Sequence, residues 1–512
     1  MTEFPGTAPI EDDTDEALAR EEDQSWLRLD RRMLLVHPVD ETIKFLPVLL
    51  VSFLVGSRSG NHVWGLAVVA LSVVLGLVRW FTTTYRIGPV HVQLRRGIFQ
   101  KRVLSIPRSR IRSVDVEARP LHRMLGLSVV RIGTGQRAAG KTDSNRFELN
   151  ALSAELVPDL RETLLTHAVH PDPEPATETS DPLSSATEIG HWRPSWVRYA
   201  PFSITGIATI AALVGIVFQY GAASTIDTNR ISDGVESLEH VGIALVILGG
   251  LVVLLAAASA LACVRYLITF GAMTLTDDGR ILHVSHGLIS TRQTTLDRAR
   301  LRGTTVKEPL LLRAAGGATL EAIMTGVSAD KGESSLLLPQ APRGECERVM
   351  GTVIGDERQA AVPLDTHGPT ALRRRFNRAL ALPILLAVVL LVLSSLGRTV
   401  DWTAWAATAL LLVGAVALAW DRYRGLGHAV IPGWLVTRSG SLDRARHSLE
   451  ADGIIGWTVH QTFFQRRSGV ATVVAATPAG TGRYLVTDIP VEDAWALVEA
   501  VTPGGGDVWA HR

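Results

Sequence analysis

Long apolar stretches alternate along the chain with stretches in which apolar and polar residues follow a strand-like period. The apolar stretches form three pairs, and each pair stands directly before one strand-like stretch: 43–56 with 63–81, 199–220 with 241–264, and 379–396 with 404–420. A transmembrane helix needs about 20 apolar residues, which all but the first stretch approach. That stretch could form a re-entrant or core helix, but the very short loop after it favours a hairpin. We therefore expect three transmembrane hairpins.

The strand-like stretches repeat one pattern three times. Each copy has an anchor glycine, an aliphatic residue 14 positions later, a valine 19 positions later, and a second glycine 29 positions later that follows an arginine by three. The anchor glycines are Gly97, Gly287 and Gly440. The second glycines are Gly126, Gly316 and Gly469, and the arginines are Arg123, Arg313 and Arg466. Four matched features in three copies indicate an internal triplication.

Each copy has the pattern of several strands followed by one helix. In the first copy, Ile111, Val114 and Val116 lie among polar residues, and a second β-rich run begins at Leu127. The glycines fit turns that require a positive φ, and the arginine before each second glycine favours a structural hydrogen-bonding role. Amphipathic stretches close the copies and predict helices over 151–165, 343–354 and 491–501.

The segment IRSVDVEARPLHRMLGLSVVRIGTG of the first copy resembles the signature of the bacterial PH-domain membrane proteins, the YdbS/YdbT-like group. The shared features are a glycine-started strand, an I-Q-S-V-like strand, a P-L-x-R-x-x-G turn and a following strand. The resemblance implies a pleckstrin-homology-like fold, a bent antiparallel barrel capped by a C-terminal helix, in a family of ill-defined activity. The second copy keeps Pro309-Leu310 one residue further from the glycine, and the third has Thr462-Phe463 there.

These patterns predict a multi-domain membrane protein. Three α-helical transmembrane hairpins, six helices in all, alternate with three PH-like domains, and an acidic disordered tail, two linkers and a C-terminal tail complete the chain. The predicted order is tail 1–30, hairpin 43–81, PH-like domain 82–166, linker 167–192, hairpin 199–264, PH-like domain 265–355, linker 356–372, hairpin 379–420, PH-like domain 421–502 and tail 503–512.

Composition and charge support this reading and suggest an orientation. The chain is 47% hydrophobic with a mean hydropathy of +0.21, and the apolar residues are concentrated in blocks. Cations flank the hairpins on the side of the repeats, whereas the opposite loops carry only Arg58, Arg230 and Arg398. The positive-inside rule therefore predicts a multi-pass plasma-membrane protein with both termini and all PH-like domains in the cytoplasm.

The sequence offers no convincing catalytic, metal or cofactor site. Cys263 and Cys346 supply neither a disulfide framework nor a zinc-ligand set. Residues 135–142, GQRAAGKT, satisfy the phosphate-loop pattern G-x-x-x-x-G-K-[ST], but that chemistry needs a helix beginning at the lysine. Here Phe147-Glu148-Leu149 soon follows and alternates like a strand, which favours a hairpin loop over the alternative nucleotide site. We predict a protein that is not an enzyme and needs no cofactor.

The first PH-like domain is basic, with 15 cations and 7 anions over residues 80–166. Each Lys or Arg beside an anionic leaflet contributes on the order of 1 kcal/mol. One hypothesis is a lipid-headgroup or acidic-partner site formed by Arg95, Arg96, Lys101, Arg102, Arg108 and Arg110. The alternative is the ordinary positive-inside bias, since the third copy keeps few of these cations. Nucleic acid is not an expected partner, because interleaved exposed aromatics are lacking.

Two functions fit the sequence, and a third is weaker. The first is a membrane scaffold whose cytoplasmic PH-like domains bind membrane lipids or an unidentified membrane or cytoplasmic protein. The second is a component of a transport or export system for an apolar substrate. The apolar stretches contain no charged residues between their flanks, which suits that substrate and disfavours ion-coupled transport. The third, a membrane nucleoside triphosphatase, rests on residues 135–142 alone.

Overall fold

The computed structural model describes most of the chain outside the first apolar pair. The described residues are 24–33, 36, 74, 78, 81–97, 102–108, 111, 113–133, 147–157, 160, 187–216, 241–326 and 335–505. The chain divides into two compact units, Met1–Thr187 with Ala272–Arg298, and Glu188–Gly271 with Ala299–Arg512. The second repeat therefore contributes strands to both units.

Strands build the repeats, and long helices precede the second and third repeats. The described strands are β1 (Leu27–Arg28), β2 (Thr84–Ile87), β3 (His91–Arg96), β4 (Arg102–Pro107), β5 (Ser113–Ala118), β6 (Leu127–Gly133), β7 (Phe147–Ser153), β8 (Thr187–His191), β9 (Thr274–Asp277), β10 (Ile281–His286), β11 (Thr291–Asp297), β12 (Leu301–Pro309), β13 (Gly317–Met324), β14 (Leu336–Pro342), β15 (Gly427–Ile431), β16 (Trp434–Ser439), β17 (Asp443–Glu450), β18 (Gly456–His460), β19 (Val470–Ala476) and β20 (Arg483–Pro490). The described α-helices are α1 (Pro120–Met124), α2 (Ile204–Ile216), α3 (Val241–Phe270), α4 (Leu310–Ala314), α5 (Arg343–Ile354), α6 (Arg358–Ala361), α7 (Gly368–Ser395), α8 (Trp402–Arg424), α9 (Phe463–Arg467) and α10 (Val491–Val501).

The first unit contains two antiparallel sheets. One has the strand order β1-β2-β3-β4, and the other contains β7-β6-β5-β11-β10-β9 in that order. Since β5 and β11 belong to different repeats, the second sheet continues from the first repeat into the second. The apolar core lies within the first repeat, where Val92 and Leu94 belong to one buried cluster with Leu127, Val130 and Leu149. Alternate side chains of β3 are buried, which places its apolar residues on one face.

The second unit repeats this arrangement one module later. Its larger sheet has the order β14-β13-β12-β17-β16-β15, and its smaller sheet is β18-β19-β20. Strands β12 and β17 pair antiparallel, so the larger sheet continues from the second repeat into the third. The core of the third repeat joins Val473 and Val486 of the small sheet to Leu497 and Val498 of α10. The apolar stripe of this amphipathic closing helix thus covers its own repeat.

The closing helices are confirmed for the second and third repeats, where α5 and α10 have the predicted bounds. In the first repeat the prediction begins too early. Residues 151–153 belong to β7, and Ala154–Leu156 form a 3₁₀ turn. Leu152 is buried and pairs with Ser128 of β6, so the sheet takes residues whose apolar pattern also fits a helix.

The predicted tail and linkers contain folded segments. Strand β1 and Leu29 both fall in the predicted tail 1–30, yet β1 pairs with β2 and Leu29 is buried. Strand β8 lies in the predicted linker 167–192. In the predicted linker 356–372, the Gln359 carbonyl accepts a hydrogen bond from Arg446, and Asp365 pairs with His428. Contacts with the repeats offset the entropy cost of ordering these polar segments, which composition alone does not reveal.

The structure describes helices that could cross a membrane for some of the six predicted spans. Three described helices are long and apolar enough, namely Leu248–Phe270 within α3, Gly368–Ser395 and Trp402–Arg424. Of the third apolar stretch the structure describes residues 199–216, and its α-helix there is α2, which has 13 residues. Nearly all of the hairpin at 43–81 lies outside the described residues. Three of the six predicted spans therefore have a described helix of sufficient length.

The repeat glycines occupy turns with the predicted backbone conformation. Gly97, Gly287 and Gly440 have φ values of 128°, 106° and 101°. The second glycines have φ values near 70°: 68° at Gly126, 79° at Gly316 and 67° at Gly469. Residues other than glycine rarely adopt such φ values, so the repeated glycines reflect a repeated backbone path.

Candidate functional site

The six cations of the first repeat lie in different environments. Arg95 and Arg96 are consecutive in β3 and therefore point to opposite faces of the sheet. Arg102 begins β4, is exposed, and stands directly opposite Arg96 in the strand register. Lys101 and Arg110 lie outside the described residues. Two arginines directly opposite each other on one face of a sheet repel each other, and an anionic ligand would offset that repulsion.

Arg95 makes an aromatic contact that the sequence did not predict. Its guanidinium carbon lies 4.6 Å from the centroid of the Trp26 ring, and that of Arg86 lies 4.9 Å from the same ring. Trp26 is in the segment predicted to be a disordered tail. Cation–π contacts of this kind hold an arginine in place without removing its charge.

Arg96 and Arg108 each donate to backbone carbonyls. Arg96 bonds the carbonyl of Glu148 in β7. Arg108 is buried and donates to the carbonyls of Gly88 at 3.5 Å and Pro89 at 3.3 Å, in the turn between β2 and β3. Burial lowers the pKa of the Arg108 guanidinium. Among the described members of the set, Arg102 alone is exposed, and the headgroup-site hypothesis stays a prediction centred on it.

The repeated arginines connect one repeat to the next. Arg123 donates to the backbone carbonyl of Leu288 at 3.3 Å, and Arg313 donates to that of Ser441 at 3.5 Å. Leu288 and Ser441 each follow the anchor glycine of the next repeat, so the two contacts are equivalent. The predicted hydrogen-bonding role is thus present for two of the three arginines, but it acts between repeats. Arg466 of the third repeat is exposed.

The base of α7 is fixed to the third repeat by a buried carboxylate. Asp488 of β20 is 1% exposed and accepts hydrogen bonds from Arg374 at 3.1 Å, from Arg375, and from Gln465 at 2.9 Å. Burial alone would raise the pKa of Asp488, but the Gln465 hydrogen bond and the two arginine charges lower it. Asp488 also has a φ of 58°, a conformation uncommon for a residue other than glycine. Arg374 and Arg375 are among the cations that flank the hairpins on the side of the repeats, and they also join helix and domain.

The same junction contains a pair of buried histidines. His367 precedes α7, and its Nδ1 lies 2.8 Å from the carbonyl of Thr487. Its Nε2 lies 2.9 Å from Nδ1 of His428 in β15. Burial lowers the pKa of His367 to about 4 and also lowers that of His428. Both rings are therefore neutral near pH 7, which allows one to donate to the other.

A small cavity lies between strands of the second and third repeats. Its volume is about 70 Å³, and its lining includes Thr305, Lys307, Glu321, His447 and Tyr484. His447 Nδ1 lies 3.0 Å from Thr305 Oγ1, and Lys307 pairs with Glu321 at 2.7 Å. Burial and the charge of Lys307 lower the pKa of His447 to about 4. Since one water occupies about 30 Å³ of liquid volume, the cavity suits a few waters and is too small for a nucleotide.

The phosphate-loop pattern joins two neighbouring antiparallel strands. Strand β6 ends at Gly133, β7 begins at Phe147, and the two pair directly. Residues 135–142 themselves lie outside the described residues. A phosphate loop requires a helix that begins at its lysine, whereas β7 begins six residues after Lys141. In the described part of the chain, no group of three or more His, Cys, Asp or Glu could hold a metal ion.

The chain matches the family described as Bacterial PH domain three times, over residues 44–168, 204–351 and 380–503. Each match begins inside an apolar pair and continues through the repeat that follows, which confirms the predicted triplication. No curated protein and no solved structure matches the chain.

Proposed function

Because the chain belongs to the bacterial PH-domain family, we propose that it is an integral membrane scaffold whose PH-like domains bind lipids or proteins at the inner leaflet. In this proposal three hairpins, six helices in all, cross the plasma membrane. Both termini and the three PH-like domains face the cytoplasm, and the protein performs no catalysis. Its partners are membrane lipids and a membrane or cytoplasmic protein.

The observation that carries the proposal is the direct attachment of apolar helices to the PH-like strands. Arg374 and Arg375 of α7 bond Asp488 of β20, and Asp421 near the end of α8 bonds Arg444 of β17 at 2.9 Å. Both helices of this hairpin thus contact the third repeat through their domain-side ends. A domain attached in this way stays beside the membrane surface, where its cations meet anionic headgroups.

The second hairpin supports the same proposal. Tyr266, near the end of α3, donates to the carbonyl of Gln340 in β14 at 2.7 Å. Tyr199, in the 3₁₀ segment Pro194–Phe202, packs so closely on Gly317 that a Cβ there would lie 2.7 Å from its ring. Short contacts of this kind restrict the tilt of a domain relative to its helices, which suits a scaffold.

Arg102→Glu in the full chain tests the lipid-binding part of the proposal. Arg102 is exposed and, among the described residues, makes none of the aromatic or carbonyl contacts that hold Arg95 and Arg96, so its reversal should leave the sheet intact. Arg28→Glu is the matched control, because Arg28 is exposed in β1 at the opposite edge of the same sheet. We expect Arg102→Glu to retain less anionic lipid in mild detergent than Arg28→Glu, measured by quantitative mass spectrometry.

The same purification identifies protein partners. A protein that co-purifies in stoichiometric amount with the unaltered chain, and is reduced in Arg102→Glu, supports the scaffold role. Equal lipid and protein content in the two variants contradicts a binding site at Arg102. The transport alternative then gains weight, since it requires no headgroup contact from this repeat.

A further inference from the structure

We propose that the chain assembles head to tail with a second copy of itself, by pairing β18 of one copy with β4 of the next. The proposal concerns the two sheet edges at the ends of the triplication. It does not rest on the membrane-scaffold proposal, because the contact is the one that already joins the repeats inside one chain.

The two internal junctions are built in the same register. At the first, Val116 of β5 pairs with Gln293 of β11. At the second, Val306 of β12 pairs with Arg446 of β17. In both junctions a residue 19 positions after one anchor glycine faces a residue 6 positions after the next anchor glycine. One interface is therefore used twice. We call the strand that contains the position 19 residues after the anchor glycine the donor strand, and the strand that contains the position 6 residues after it the acceptor strand. Each repeat has one of each.

The third repeat has an unused copy of the donor strand. Among the described residues, β18 pairs with β19 alone, on one of its two edges. At the equivalent positions of β12, Thr304, Thr305 and Val306 are buried beneath the pairing with the next repeat. By contrast, β18 has no buried residue. An unpaired edge of this kind presents backbone donors and acceptors to another strand.

The first repeat has an unused copy of the acceptor strand. In the part of the chain that the structure describes, β4 pairs with β3 alone. Val103, at the position of Gln293 and Arg446, is 52% exposed. Pro107 lies just beyond the six positions that both internal junctions share, so its missing N–H does not prevent pairing. The shared register places Val459 of one copy opposite Val103 of a second copy.

Side chains beside β18 fit the same partner. Arg466 is equivalent to Arg123 and Arg313, which donate to the backbone of the next repeat, and it is exposed. Phe463 and Phe464, also in α9, are 75% and 70% exposed. A second copy would provide the carbonyl for Arg466 and would cover apolar surface. Because the two edges differ, the contact is heterologous and generates a ring or an open chain of copies.

Disulfide formation between separately tagged chains tests the register. In a background with Cys263→Ala and Cys346→Ala, one chain carries Val103→Cys and the other carries Val459→Cys. Directly opposed residues on adjacent strands are close enough for a disulfide. We expect a product that contains both tags. Replacing Val103→Cys by Arg28→Cys, at the far edge of the same sheet, should abolish this product.

A single chain with Val116→Cys and Gln293→Cys is the positive control, because these residues hold the same register position within one molecule. The proposal is overturned if this control forms its disulfide while the Val103–Val459 product is absent. It is equally overturned if Val459→Cys joins only to itself, since that product indicates a twofold pairing of β18 edges.

Light scattering in detergent gives an independent test. Arg466→Glu should weaken self-association by about tenfold or more, as expected for the loss of a hydrogen bond from a charged donor. Arg467→Glu, in the same short helix and also exposed, is the matched control and should have little effect. The assembly is contradicted if light scattering gives the mass of a single chain at every protein concentration, or if the two substitutions have equal effects.

Discussion

Asp488→Asn isolates the buried charge that joins α7 to the third repeat. The carboxylate is 1% exposed, and its partners Arg374 and Arg375 are 10% and 5% exposed. Asparagine has nearly the same shape and tolerates the left-handed backbone conformation at this position. The substitution therefore removes the carboxylate that, among the described residues, pairs with both buried guanidinium groups.

The expected cost is large because the arginines cannot reach water without moving the helix. Breaking a buried ion pair by removing one partner costs about 3–5 kcal/mol, whereas an exposed pair contributes about 0–1 kcal/mol. Asp356→Asn is the control, since it removes the carboxylate that pairs with Arg358, whose side chain is 70% exposed. We expect Asp488→Asn to lower the free energy of unfolding by several times more than Asp356→Asn.

Hydrogen exchange of the full chain in detergent measures the effect locally. A loss of 3 kcal/mol corresponds to a more than hundredfold loss of amide protection, here in β19 and β20. Adding Arg374→Met and Arg375→Met to Asp488→Asn should restore much of that protection, because the uncompensated charges are then gone. Similar protection in Asp488→Asn and Asp356→Asn would refute the reasoning.

Two further predictions concern the junction between the second and third repeats. Gly303→Ala places a Cβ 1.9 Å from the Ser448 carbonyl oxygen, so it should separate β12 from β17 and destabilise the second unit. The effect should be far larger than that of Gly316→Ala, where no atom lies within 4 Å of the added Cβ. Thermal unfolding compares the two variants, and equal unfolding midpoints would argue against this packing. His447 has a pKa lowered by burial to about 4, so its contribution to stability is complete above the unfolded pKa of about 6.5 and falls as the pH drops towards 4, by about 3 kcal/mol. His447→Gln should flatten this pH dependence in denaturant titrations, and an unchanged slope would exclude His447 as its source.

The local pattern of the chain was sufficient for many of its elements. The turn glycines Gly97 and Gly126, the closing helices α5 and α10, and the strand character of Phe147-Glu148-Leu149 follow from residue type and period alone. The reason is that side-chain period decides which face of an element is buried, and a positive φ restricts a turn to glycine. These effects act over a few residues.

The candidate site was predictable only in part. The basic character of the first repeat is visible in the sequence, but the separate environments of Arg95, Arg102 and Arg108 are not. Their separation depends on Trp26 and on a turn carbonyl, which local patterns do not connect to them. Asp488 gave no signal either, because its two arginine partners are more than 100 residues away.

By itself, the sequence determined the triplication, the apolar pairs and most of the elements within each repeat. Only the tertiary structure decided which strand edges meet, placing β5 beside β11 and β12 beside β17 across repeat boundaries. The physical reason is that strand edges pair through backbone N–H and C=O groups, which are the same in nearly every residue and leave little trace in side-chain pattern. Buried faces are therefore encoded in the order of residues, whereas edge partners are selected when the whole chain folds.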